Sequence, residues 1–297
     1  MSSCSCRRRW RLGASIRAAL LALVVLRDGV RSHQRGDVRY PDQFAQQPLI
    51  IDGEDVEQLD FTWITSLQVF NKRKIWWHVC SGSLISNQHI LTAAHCVEGR
   101  FGLPWRVVLG KQNLETPFTK DEFHMRPEQF ILDELWSRSR RDYDFSLVKL
   151  RGQLNFFGAH RSLSPIRLPE KDDFAAFDNS DCRIAGWGFI NKNATKPWPR
   201  LQMIHTRVLP WKSCQQTVGP EIRRLFNVDF TRRMLCAKGE RGLVWVGDSG
   251  GSLECKRDGH SVLVGILSFG FTEKIYLPPV YAHVSERVEW IKAKMSQ

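Results

Sequence analysis

From Ile50 to the C-terminus, turn residues break the chain into short β-prone runs: WITSLQVF (63–70), RVVLG (106–110), FSLVKL (145–150) and VLVGILSFG (262–270). A buried strand needs only about four to eight such residues, whereas a helix needs about ten or more. Runs this short, at this frequency, restrict the chain to an all-β sandwich or barrel. Only the last segment, VSERVEWIKAKMSQ, has a helical period. Val284, Val288, Ile291 and Met295 fall on one face, Ser285 is placed to cap the N-terminus, and Lys292 and Lys294 suit the C-terminal end.

The 297 residues suffice for a sizeable core, and 42% hydrophobic with 25% charged residues excludes a disordered tail. The net charge of +12 suggests an acidic partner, yet residues 1–32 hold seven Arg and one Asp, so half of the surplus lies there. That segment is basic and then apolar from Ala18 to Leu26, a run shorter than the roughly 20 residues a membrane helix requires. It reads as a secretory signal, with Val30 and Ser32 as the small residues before a cut. An uncleaved anchor is the alternative. The expected organisation is a signal peptide at 1–32, a short propeptide at 33–49 and one domain at 50–297, in a secreted, extracellular protein without a membrane segment.

Of eight cysteines, Cys4 and Cys6 lie in the leader, leaving Cys80, Cys96, Cys182, Cys214, Cys236 and Cys255. An even number in a secreted chain implies disulfides, and spacing alone leaves 15 pairings open. No close CxxC pair suggests zinc, and no nucleic-acid-binding module is recognisable.

Three segments carry chemistry: LTAAHC (91–96), RRDYDFSLVKL (140–150) and GDSGG (247–251). A serine hydroxyl is a weak nucleophile that needs a base within hydrogen-bond reach, and that base needs a partner to fix its tautomer. His95, Asp144 and Ser249 have the chemistry for these roles. Gly247 and Gly250 allow a turn tight enough to aim the Gly247 and Ser249 amides at a developing oxyanion.

In this order, with IIDGEDVEQLDFTWITSLQ (50–68), CSGSLIS (80–86), CRIAGWG (182–188) and the Trp290–Ile291 pair, the chain resembles the chymotrypsin-like (trypsin-fold) serine peptidases from Ile50 onward. The resemblance implies two packed six-stranded antiparallel β-barrels, about 50–165 and 166–297, with a C-terminal helix and a cleft between the barrels. It implies the pairs Cys80–Cys96, Cys182–Cys255 and Cys214–Cys236. It also implies Ser249 as nucleophile, His95 as general base then acid, Asp144 as its orienter, and no metal or organic cofactor.

The chain departs from the family in three ways. A pocket-wall disulfide is missing, with Trp245 at one position and Thr272 or Glu273 at the other. Leu243, followed by Val244, stands where trypsin-like members carry an Asp, so a substrate cation would lack its counter-charge and an apolar side chain is expected instead. Pro279 replaces a common glycine on the opposite wall, where it either narrows the pocket or stiffens a loop. Ser268, Phe269 and Gly270 match the strand that pairs with substrate backbone. The third departure is at the activation cut. The family frees the amine of a residue equivalent to Ile50 to pair with Asp248, but Leu49 precedes the cut here instead of a basic residue.

Two basic loops, Lys72–Arg73–Lys74 and Arg138, Arg140 and Arg141, read as solvated rims or as contacts for an acidic protein or glycan. Asn193 heads a glycosylation sequon. The sequence thus predicts a secreted serine endopeptidase of apolar specificity, made as a zymogen. A catalytically idle homologue that binds as a decoy is the alternative.

Overall fold

The computed structural model describes residues 54–57, 60–188, 196–239, 248–271 and 276–297. The leader, Leu49, Ile50, Asn193, Leu243, Val244, Trp245, Gly247, Thr272 and Glu273 lie outside the described residues.

After β1 (Glu54–Asp55), the first half of the chain supplies β2 (Ile64–Phe70), β3 (Trp76–Leu84), β4 (His89–Thr92), β5 (Trp105–Leu109), β6 (Phe123–Met125), β7 (Pro127–Leu132) and β8 (Ser146–Leu150). These form an antiparallel sheet in the order β6-β5-β2-β3-β4-β8-β7. Only Arg126 separates β6 from β7, so one bent strand pairs with β5 at one end and with β8 at the other. The Trp105 and Phe130 rings, 5.3 Å apart, pack β5 onto β7 and help to close the barrel. Leu67, Leu84, Ile90, Leu91, Leu109, Phe145, Leu147 and Leu150 fill its interior. Each side chain of this size contributes about 1.5–3 kcal/mol by leaving water.

The second half supplies β9 (Asp181–Gly186), β10 (Gln202–Val208), β11 (Met234–Gly239), β12 (Ser252–Arg257), β13 (His260–Phe269) and β14 (Val280–His283). Their order is β10-β11-β14-β13-β12-β9, and β9 pairs with β10, so hydrogen bonds close the ring. With β6 and β7 counted as one bent strand, both halves are the six-stranded barrels that the resemblance implied.

Among the described residues, the first strand and the last helix each cross to the other barrel. β1 pairs with β10. The C-terminal helix α3 (Val288–Met295) packs the other way: Ile291 joins the cluster of Leu147 and Leu150, and Arg287, just before the helix, donates to Asp133 at 2.6 Å. This helix starts later than its pattern suggests, because Val284–Arg287 is a 3-10 turn. Ser285 does not cap it. The Ser285 hydroxyl is buried and bonds the His283 ring at 3.2 Å.

Among the described residues two further α-helices precede α3. α1 (Ala94–Val97) is a single turn, and α2 (Trp211–Phe226) spans 16 residues. Gly219 and Pro220 inside α2 read as breakers, yet Cys214, Val218 and Ile222 are buried at helical spacing and the Cys214–Cys236 disulfide anchors it to β11. Tertiary burial outweighs the local propensity here. Among the described residues no helix is long and apolar enough to cross a membrane.

Candidate active site

β4 ends at Thr92, and the chain turns at Ala93 into α1, which carries His95. The Cys80–Cys96 disulfide ties this turn back to β3. Asp144, 1% exposed, lies just before β8. Its Oδ1 accepts the His95 backbone N–H at 2.9 Å, and its Oδ2 lies 2.7 Å from His95 Nδ1. The Ser268 hydroxyl, reaching from β13, donates to the same Oδ2. Burial pushes the Asp144 carboxyl up, but the His95 charge and the hydrogen bonds from His95 and Ser268 outweigh it and hold the group below its ordinary value. Asp144 is therefore a carboxylate at neutral pH and can only accept. Nδ1 is therefore the donor of the bond between the two side chains.

Ser249 sits on a turn of barrel two pressed against this corner. Its carbonyl accepts from Ser81 N at 2.8 Å, and Gly250 N donates to Leu267 O at 2.8 Å. Gly250 has φ +80, and a Cβ there would stand 2.2 Å from Thr92 Oγ1 and 2.4 Å from Ser81 O. Only glycine allows the serine turn to approach the β4–α1 corner so closely. Among the described residues neither the Ser249 hydroxyl nor its amide makes a hydrogen bond. His95 Nε2 instead faces Cys96 Sγ at 3.8 Å. Nucleophile–base contacts are often open in unliganded sites and close when substrate arrives.

Asp248, before the serine, is fully buried and accepts from Gly188 N at 2.8 Å. Any side chain at Gly186 or Gly188 would collide with its carboxylate, at 2.0 and 2.2 Å respectively. The paired glycines of CRIAGWG thus form the niche for Asp248.

The Asp144 loop is fixed from barrel two. Arg233, just before β11, donates to both Asp142 oxygens, Nε to Oδ1 at 3.0 Å and Nη2 to Oδ2 at 2.6 Å, and Thr231 donates to Oδ1 at 3.2 Å. Arg141 and Tyr143, on either side of Asp142, are left-handed, with φ 54 and 57. The Tyr143 ring lies between the guanidinium groups of Arg233 and Arg287, at 4.2 and 5.2 Å. Such conformations cost about 1–3 kcal/mol each and persist only where the surroundings enforce them. This clamp has no sequence signature, since an Asp and an Arg 91 positions apart give no local pattern.

Ser268, on the strand expected to pair with substrate backbone, turns its side chain to Asp144. Phe269 packs edge-on against Phe226 of α2 at 5.4 Å, Gly270 is open to solvent, and Pro279 is half-buried. Lys72, Arg73 and Lys74 are exposed at the β2–β3 tip, Arg140 is exposed, and Arg138 pairs with Glu98 at 2.7 Å.

Cys80, Cys96 and His95 converge at metal-site distance, but the two sulfurs are joined as a disulfide and offer no thiolate. A recess of about 470 Å³ lies away from the site, beside the Gly110–Glu122 loop. Charged groups lining it already pair with neighbours, Asp55 with Arg200 at 2.9 Å and Glu122 with Lys111 at 2.9 Å.

Two interlocked barrels, with a histidine, a carboxylate and a serine gathered at their junction, are the mark of one family. The trypsin family model matches residues 50–291, and the chain belongs to that family of serine proteases. Human atrial natriuretic peptide-converting enzyme is 36% identical over 227 residues, 73% of this chain, and the matched part spans only 20% of that longer protein. Mouse chymotrypsin-C is 29% identical over 290 residues, 96% of this chain and 99% of its own length. Bovine chymotrypsin-C is 30% identical over 252 residues, 83% of this chain and 88% of its own.

Proposed function

We propose that the protein is a secreted serine endopeptidase. Ser249 attacks the scissile carbonyl, His95 takes and later returns the proton, and Asp144 orients His95 and stabilises its cation. The Ser249 amide, with that of Gly247, receives the oxyanion. The observation that carries this reading is the His95–Asp144 pair, in which Asp144 accepts from Nδ1 at the corner against which the serine turn packs. Relatives named as a converting enzyme and as a chymotrypsin support peptide hydrolysis.

Residues 1–32 direct secretion, and cleavage between Leu49 and Ile50 frees an amine for Asp248, so the chain is made as a zymogen whose activator accepts leucine. Leu243, Val244 and Pro279 favour an apolar residue at the cut bond. Asn193 carries a glycan, and the exposed basic loops attract acidic segments of the substrate.

Covalent labelling with a fluorophosphonate probe, before and after limited cleavage near Ile50, tests this reading. Labelling that appears on cleavage and vanishes in Ser249→Ala is expected. No labelling in either form overturns it in favour of a non-catalytic binding protein on the same fold.

A further inference from the structure

Beside the His95–Asp144 pair stands a guanidinium that no described carboxylate bonds directly. Arg141 is half-buried, and among the described residues its guanidinium makes no hydrogen bond or ion pair. Its guanidinium lies 5.8 Å from the centre of the Phe226 ring, and burial draws its pKa below the ordinary value, although the charges of Asp144 and Glu98 partly offset this. An arginine remains charged even so.

The neighbouring carboxylates are already committed. Glu98 accepts from Arg138, Asp142 is clamped by Arg233, and both oxygens of Asp144 are occupied by His95 and Ser268. The backbone adds to the cost, because Arg141 is left-handed, with its N–H bonded to Ser137 O at 2.8 Å. A half-desolvated, unpaired cation on a strained backbone is unfavourable unless something outside the fold completes it.

The surroundings indicate what that is. Phe226 packs on Phe269, which directly follows Ser268, so Arg141, Phe226 and Phe269 form one wall that begins beside Asp144 and ends at the strand expected to hold substrate backbone. We propose that Arg141, with Phe226 and Phe269, forms a subsite for a carboxylate side chain of the bound peptide, so that the cleft selects segments with Asp or Glu within a few residues of the cut bond. The inference rests on the reading that this cleft takes a peptide. The planar guanidinium donates two parallel N–H bonds to the carboxylate, and the rings exclude water from the pair. A neutral residue at that position leaves the cation unpaired, which provides discrimination.

The test uses the full chain carrying Ser249→Ala, which cannot turn over its ligand. Fluorescein-labelled octapeptides that differ only by Glu or Gln at one position are titrated by anisotropy. One position is expected to favour Glu by about 10- to 100-fold. Arg141→Gln removes that preference, Arg141→Asn does so with a residue that tolerates the left-handed backbone, and Arg161→Gln, an exposed arginine elsewhere, leaves it intact. A Glu preference that survives both Arg141 variants overturns the proposal, as does the absence of any preference, including absence of binding. Fluorophosphonate labelling of the unsubstituted chain separates the two readings. A chain that labels but ignores Glu keeps the peptidase and loses the subsite, whereas one that fails to label yet shows an Arg141-dependent preference keeps the subsite in a non-catalytic cleft.

Discussion

The two halves of the catalytic corner are built differently. On barrel one, His95 and Asp144 are joined by two hydrogen bonds, supported by Ser268 from across the cleft and tied by the Cys80–Cys96 disulfide. On barrel two, the backbone of the serine turn is fixed through Ser81, Leu267 and Gly250, while the Ser249 hydroxyl and amide remain free of partners among the described residues. In the proposed reaction the acid–base half is thus set in advance, and the nucleophile half keeps its donors for a substrate. Preorganisation is placed where charge must be stabilised, and availability where a bond must form.

Substitutions can break this contrast at its strongest point first. Asp144→Asn keeps the shape but reverses the donor pattern at Nδ1, and a loss of about 10⁴ in kcat is expected for a triad of this kind. Fluorophosphonate labelling rates measure it. A much smaller loss would show that the His95–Asp144 pair does not govern the base.

The pH sharpens the comparison from the barrel-two side. His283, on β14, is buried, and its pKa falls to about 4, chiefly by desolvation and also through the Arg232 charge, although the Arg232 carbonyl partly offsets this. The folded chain keeps this ring neutral, while the unfolded chain protonates near 6.5. The unfolded state therefore binds the extra proton between these values, and stability falls as pH drops from about 6.5 to 4, by about 3 kcal/mol for this group. Denaturant midpoints across that range measure the slope, and His283→Gln should flatten it.

The smallest expected effect concerns the clamp that joins the halves. Asp142→Ala or Arg233→Ala should each cost about 2 kcal/mol, with the double variant costing little more than either single one. Additive losses in urea melts would show that the two side chains do not act as a unit.

The sequence declares the β-rich architecture because strands advertise themselves locally, through runs such as FSLVKL bounded by turns. It declares the three reactive segments because their neighbours are unusual as a set. The α2 helix is hidden behind Gly219 and Pro220, although the spacing of Cys214, Val218 and Ile222 is a usable signal. What sequence cannot display are long-range pairings. Ser268 reads as an ordinary strand residue until the fold brings Asp144 to it across 124 positions, and Asp142 reads as a turn until Arg233 closes on it. Left-handed backbone at Arg141 and Tyr143 is equally silent, since neither residue type announces it.

The crossing of the last helix has a consequence for biosynthesis. The Asp133 carboxylate lacks Arg287, and Glu134 lacks Trp290, until the α3 segment has been made. The first barrel to emerge is the last to be finished, because the α3 segment that binds Asp133 and Glu134 follows all of barrel two in the chain. A truncated chain that stops before α3 should therefore lose the histidine end of the site even though every residue of that end is present.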